Sequence, residues 1–171
     1  MTATEPDRQL VLFSLHGEQY GVPISAVREI IRYTPPSATA AARGLIKGMI
    51  NLRGTVVPIV DLSPRLGRQL TIDKGTRILV VEVANGVLGV IVDSVDGVRD
   101  IPAARIEPLP VAPTDDALGD QIAAVGDRLI LLIDPERALG AVLPARTPGR
   151  RPATPRKGPA TRRTRPPQVD P

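Results

Sequence analysis

The side chains of this 171-residue chain that could do chemistry are few and scattered. His16, the single histidine, is the natural candidate for a general base, since imidazole changes charge near neutral pH without help from its surroundings. It stands beside Gly17 in "HGEQ", a turn-like stretch between two apolar runs, where a lone histidine reads as a solvated side chain. Ser14, Ser25, Ser37, Ser63 and Ser94 offer hydroxyls, but none stands in a motif that supplies a base. Asp93, Asp96 and Asp100, and the pair Asp115 and Asp116, could gather a divalent cation. Their spacing lacks the alternation of a calcium loop, and solvated loop acids is the stronger reading. The glycines of "GVLGV" and "VDGV" lie in or beside strand-like runs rather than opening a helix, which argues against a phosphate-cradling loop. With no cysteine, disulfides, thiolate nucleophiles and cysteine-ligated metals are excluded. The expectation is a protein that is not an enzyme and carries neither metal nor cofactor.

One charged residue stands out by its setting. In "GMINLRGTVVPIVDL" (residues 48–62), Arg53 interrupts two apolar runs. "LRGT" fits a tight turn, with Gly54 supplying the positive φ that a type II turn needs at its third position. The flanking runs are apolar on both faces, so both faces should be covered, and Pro58 should mark an edge or a bulge. A guanidinium at such a tip is either an ordinary exposed turn residue or is held by a carboxylate through its planar fork. Glu29, in "AVREIIRY", is the acid to choose, because it breaks an apolar segment of Val27, Ile30 and Ile31. From spacing alone the exposed turn residue is the stronger reading.

The elements that would position these residues repeat. "LVLFSL-HGEQ-YGVPI" and "RILVVEV-ANG-VLGVIV" both read as strand, turn, strand, and a shift of 68 residues superposes Phe13 on Val81, Tyr20 on Leu88 and Gly21 on Gly89. The same shift sets Val27 on Val95 and Ile30 on Val98. "VVPIVDLSPRLG" and "LILLIDPERALG" match at a shift of 73, with Asp61 on Asp134. The pattern predicts a mostly β protein of two similar subdomains, each copy carrying about five short strands and closing into a small barrel. Asp61 and Asp134 are expected to cap short helices; "DPE" adds proline at the first helical position and an acid in the first turn.

Charge divides the chain. Residues 145–171 hold eight Lys/Arg and one acid, a net of +7, while residues 1–144 hold 14 basic and 17 acidic groups, a net of −3. The body is expected over residues 8–144. The Pro/Arg/Thr-rich tail, 145–171, cannot bury enough apolar surface to offset chain entropy and is expected to be disordered. The polar N-terminus and the lack of an apolar run of about 20 residues predict a cytoplasmic protein with no membrane insertion.

Four segments, "FSLHGEQYGVPISAVREII", "GLIKGMINLRGTVVPIVDL", "LGVIVDSVDGV" and "IAAVGDRLILLIDPERAL", resemble in order the signature segments of the CheW family of chemotaxis coupling proteins. The likeness covers roughly residues 8–140. It implies two intertwined SH3-like five-stranded β-barrels with short helices. It also implies a non-catalytic adaptor that links the cytoplasmic tips of chemoreceptors to the regulatory domain of a CheA-type histidine kinase. Carried over by motif, the receptor groove is lined by Val27, Glu29, Gly48, Arg53, Gly89, Val95 and Val98, with Glu29 and Arg53 forming a structural ion pair. Plain core packing competes for the valines, and backbone geometry for the two glycines. The tail and the "TPPSATAAARG" connector depart from the family pattern. The alternatives are the same scaffold in a surface-motility or developmental pathway, or an acidic partner, anionic surface or nucleic acid bound through the tail. The acidic body and the presence of only Phe13, Tyr20 and Tyr33 as aromatics argue against base stacking.

Overall fold

A computed structural model describes residues 7–38, 42–112, 114 and 117–144. The expectations for Asp115, Asp116 and the tail, 145–171, lie outside the described residues. The chain runs β1 (Arg8–Leu15), β2 (Glu18–Pro23), β3 (Val27–Arg32), β4 (Ile46–Leu52), β5 (Thr55–Val60), β6 (Arg77–Val83), β7 (Gly86–Val92), β8 (Ser94–Ile101), β9 (Ile106–Pro108), β10 (Gln121–Val125), β11 (Arg128–Leu132) and the short helix α1 (Pro135–Leu139). Single 3₁₀ turns occupy Ile24–Ala26, Ser63–Leu66, Ala103–Arg105 and Gly140–Val142.

Two sheets form, in the orders β8-β1-β2-β11-β10-β9 and β3-β6-β7-β5-β4. The fold is thus mostly β, a pair of SH3-like barrel sheets of five strands, one extended by the three-residue β9. Sequence repetition reappears as register. Phe13 faces Tyr20 as Val81 faces Leu88, and Ile59 lies beside Gly89 as Leu132 lies beside Gly21. The bulge between Val27 and Glu29 on β3 has its counterpart opposite Leu12 and Phe13, where β8 passes from Gly97 to Val95. The two copies exchange strands: the hairpin β1–β2 pairs with β8 and β11 of the second copy, and β6–β7 pairs with β3 and β5 of the first.

The exchange explains why β1 and β6 read as continuous apolar runs. Side chains alternate across a strand, and here both faces are covered. On β1, Leu10 and Leu12 join a core with Ile101, Ala123, Ile130 and Leu132, inside their own sheet. Val11, Phe13 and Leu15 point the other way, into a central core shared with Leu79, Val81, Val83, Leu88, Val90 and Val92. β6 mirrors this: Ile78 and Val80 fill the second sheet's core with Ile50, Val57, Ile59 and Ile91. Phe13 is among the largest fully buried side chains. Truncating it to alanine should cost about 3–5 kcal/mol.

The matched glycines stand where β2 meets β11 and β7 meets β5 in parallel. A Cβ on Gly89 would lie 2.6 Å from Ile78 Cγ2 and 2.7 Å from Ile59 Cδ1. Gly89→Ala should therefore overpack this junction and lower the urea midpoint, by about 1–3 kcal/mol.

Tyr20 stacks on Phe13, their ring centroids 6.0 Å apart, and its hydroxyl donates to Glu18 Oε2 at 3.0 Å. Burial, then the hydrogen bond and the charge of Glu18, push its pKa from 10.0 up to about 12, against a smaller opposing pull from Arg68. Because the folded state holds the proton more tightly than the unfolded chain, this contribution is complete below the unfolded pKa. It disappears as pH rises through the folded one. A shift of this size corresponds to roughly 2–3 kcal/mol. Tyr20→Phe should flatten the loss of stability between pH 10 and 12, followed by urea unfolding at stepped alkaline pH.

Candidate binding site

Glu29 lies just past the β3 bulge, on a strand that among the described residues pairs only with β6. Arg53 is at the tip of the β4–β5 hairpin, where Leu52 faces Thr55 across a two-residue loop. The type II turn expected from sequence is not what forms. Arg53 and Gly54 both have positive φ, 51° and 83°, the mark of a type I′ turn, whose twist matches that of its strands. Asn51 Oδ1 accepts from the Gly54 amide at 2.8 Å and steadies the loop. Pro58 lies in β5, one residue before pairing with β7 begins, so its missing N–H falls where one side of the strand is still open.

The geometry brings Glu29 and Arg53 together: Arg53 Nη2 donates to Glu29 Oε2 at 2.8 Å. The contact is single rather than a fork. Arg53 is 80% exposed and Glu29 23%. They line a surface cleft of about 350 Å³ with Arg28, Leu52, Thr55, Val57, Val80 and Val87. An ion pair this open contributes about 0–1 kcal/mol. A non-glycine residue in the left-handed region costs about 1–2 kcal/mol. Stability alone therefore gives no reason for an arginine here. The repeat sharpens the point, because the equivalents of Glu29 and Arg53 in the second copy are Gly97 and Gly126, both at positive φ.

Arg28, the bulge residue, makes a two-pronged pair with Glu82, Nε–Oε2 3.0 Å and Nη2–Oε1 3.2 Å. The hydrogen bond to Glu82 and its charge raise the Arg28 pKa further. At the equivalent place, Asp96 accepts from Ser14 and Gln19. Sequence reasoning missed Arg28 and Glu82, whose only signal was their position relative to the repeat.

The other predicted groove residues are dispersed. Val27 and Val95 are half-buried and pack against the central core. Val98 on β8 is 50% exposed. Gly48 and Gly89 are buried. Gly48, at φ 154°, passes so close to Ser37 that a Cβ would meet the Ser37 carbonyl oxygen at 2.3 Å.

Asp134 caps α1, its Oδ1 accepting from the Glu136 amide at 3.0 Å and the Arg137 amide at 3.3 Å. Asp61 departs from the expected cap. Leu62 holds the position before the 3₁₀ turn, and Asp61, 2% exposed, accepts from the Ser63 amide and lies 3.6 Å from Lys47 Nζ. His16 is not solvated as expected: its Nε2 is 2.8 Å from the hydroxyl of buried Ser63. Among the described residues, no group of three His, Cys, Asp or Glu side chains is placed to hold a metal ion. None of the described helices is long and apolar enough to cross a membrane.

Two interleaved barrel sheets with a charged, open surface cleft define a class of small β adaptors that offer surfaces rather than reacting groups. Residues 9–142 match the CheW-like domain family, and the chain belongs to it. It is 33% identical to the chemotaxis protein CheW of Klebsiella aerogenes over 139 residues, which is 78% of this chain and 82% of that one. Against the probable chemotaxis protein CheW of Rhizobium etli it is 34% identical over 133 residues, 76% of this chain and 86% of the other. The crystal structure of the scaffolding protein TtCheW from Thermoanaerobacter tengcongensis superposes with a TM-score of 0.69 at 36% identity, covering 75% of this chain and 89% of that one. This is a non-catalytic scaffold and adaptor of the chemotaxis type.

If Arg53 serves binding and not folding, removing it should not harm the fold. Arg53→Gly, which copies Gly126, should leave urea stability unchanged or raise it by up to about 1 kcal/mol.

Proposed function

We propose that this chain couples the cytoplasmic tips of chemoreceptors to the regulatory domain of a CheA-type histidine kinase. On this reading it works in the cytoplasm and joins membrane receptor arrays only through its partners. The receptor tip docks on the surface organised by Glu29 and Arg53, with the partly exposed valines Val27, Val95 and Val98 as separate apolar contacts on β3 and β8. The observation that carries the reading is the Glu29–Arg53 pair itself. It lies open to solvent at a local backbone cost, and the other copy of the repeat has two glycines in its place.

Val27 and Val95 stand at equivalent positions on the edge strands β3 and β8, where each packs on the central core and remains half-buried, leaving part of its side chain for a partner. An apolar surface flanked by one oriented charge pair suits an amphipathic helical hairpin, with the charge setting register and the valines supplying contact area. Gly48 and Gly89 act through geometry alone, holding the strands that carry this surface.

The test is a titration of the full chain with a receptor-tip hairpin and, separately, with the kinase regulatory domain. Arg53→Glu and Val27→Asp should each weaken receptor-tip binding at least about tenfold, or 1.4 kcal/mol, with kinase-domain binding preserved. Normal receptor affinity in a folded Arg53→Glu protein would sink the assignment.

A further inference from the structure

A second cleft, of about 450 Å³, opens where the ends of β3 and β6 meet the loop before β6. Its lining is Arg32, Tyr33, Asp73, Lys74, Thr76 and Arg77. Arg32 and Arg77 are direct partners in the antiparallel register of β3 and β6. Side chains facing each other in this way stand about 5 Å apart at Cβ, and like charges so placed repel. Lys74 adds a third cation.

The nearby acid, Asp73, forms no ion pair with them and offsets only one of the three charges. Asp73 Oδ1 accepts from the Gly75 amide at 2.7 Å and from the Thr76 hydroxyl at 3.4 Å, which commits it to closing its own turn. Arg77 Nη1 donates to the carbonyls of Lys74 and Thr76, both at 3.0 Å, so its guanidinium is oriented without being paired to a charge. Among the described residues, no ion pair joins Arg32, Lys74 or Arg77 to a carboxylate.

The repeat provides an internal control. At the equivalent position of the other sheet, Gln9 faces Asp100. The fold therefore does not require two cations at this point of the ladder, and the body of the chain, net −3, is not basic in general. An unneutralised arginine pair held in register beside a lysine, in a concave site, has the chemistry of a phosphoryl clamp. Guanidinium forks match the oxygens of a phosphate, and the lysine adds a point charge.

We propose that the Arg32–Lys74–Arg77 cleft binds a phosphoryl group, carried either by a small phosphorylated molecule or by a phosphorylated side chain of a partner. The site is separate from the Glu29–Arg53 cleft and shares no lining residue with it. Occupancy would relieve the cross-strand repulsion, so binding and stabilisation of β3 against β6 are coupled.

The experiment is a calorimetric titration and thermal melt of the full chain with pyrophosphate, with a phosphoserine peptide and with its unphosphorylated form. Each is repeated with Arg32→Gln/Arg77→Gln, whose second substitution copies Gln9. The wild type should bind at least one phosphorylated ligand saturably, with a rise in Tm that weakens with salt. The double variant should melt no lower than wild type and should lose at least about tenfold in affinity. Comparable binding by pyrophosphate and the peptide would assign a small-molecule ligand, and a clear preference for the phosphopeptide a partner's side chain. Equal binding by wild type and variant, as the basic tail alone would give, overturns the proposal. So does absence of saturable binding by either phosphorylated ligand.

Discussion

The structure depends on burying β1 and β6 on both faces. Each strand sends alternate residues into its own sheet's core and into the core that the two sheets share. Neither hairpin can satisfy this arrangement within its own copy of the repeat, because one layer of strands covers only one face. Exchange of β3 and β8 and of β5 and β11 supplies the missing cover. The two sheets are thereby a single cooperative body, and Phe13, Leu15, Val81 and Val83 all meet in its centre. Glycine at the parallel junctions follows from the same crowding, since a side chain at Gly89 would compete with Ile59 and Ile78 for one space.

Against that near-symmetric frame, the departures from symmetry carry the information about function. The bulge on β3 and its counterpart on β8 are alike in register, yet one presents Arg28 and the other Asp96. Glu29 and Arg53 replace two glycines, and the Arg32–Arg77 pair replaces Gln9 and Asp100. Arg53 and Gly126 share a positive φ, so the backbone does not dictate an arginine there, whereas Gly97 takes a positive φ that Glu29 does not. What differs is the charge offered to solvent, which is the property a scaffold uses to select and orient partners.

Much of this was legible from residues 8–144. The shift of 68 set β1–β2 against β6–β7, and one odd charge in each of two apolar runs marked Glu29 and Arg53 as candidates without deciding that they pair. The I′ turn was misjudged because its first central residue is arginine, where turn statistics favour asparagine, aspartate or glycine. The contact of His16 is hidden from the sequence because its partner, Ser63, lies 47 residues away on the turn that follows β5. The burial of Gly48 and Gly89 is likewise invisible to motif matching, because it depends on strands far apart in sequence.

The sequence by itself determined the β class, the duplicated pattern, the absence of cysteine chemistry and the identity of the charges available for recognition. These follow from alternation and composition, which are properties of neighbouring residues. Only the tertiary structure decided which copy's strands pair with which, and therefore that Glu29 meets Arg53 and that Arg32 faces Arg77. Pairing between distant strands is set by how two apolar faces can both be covered at once. No local stretch of sequence encodes that condition.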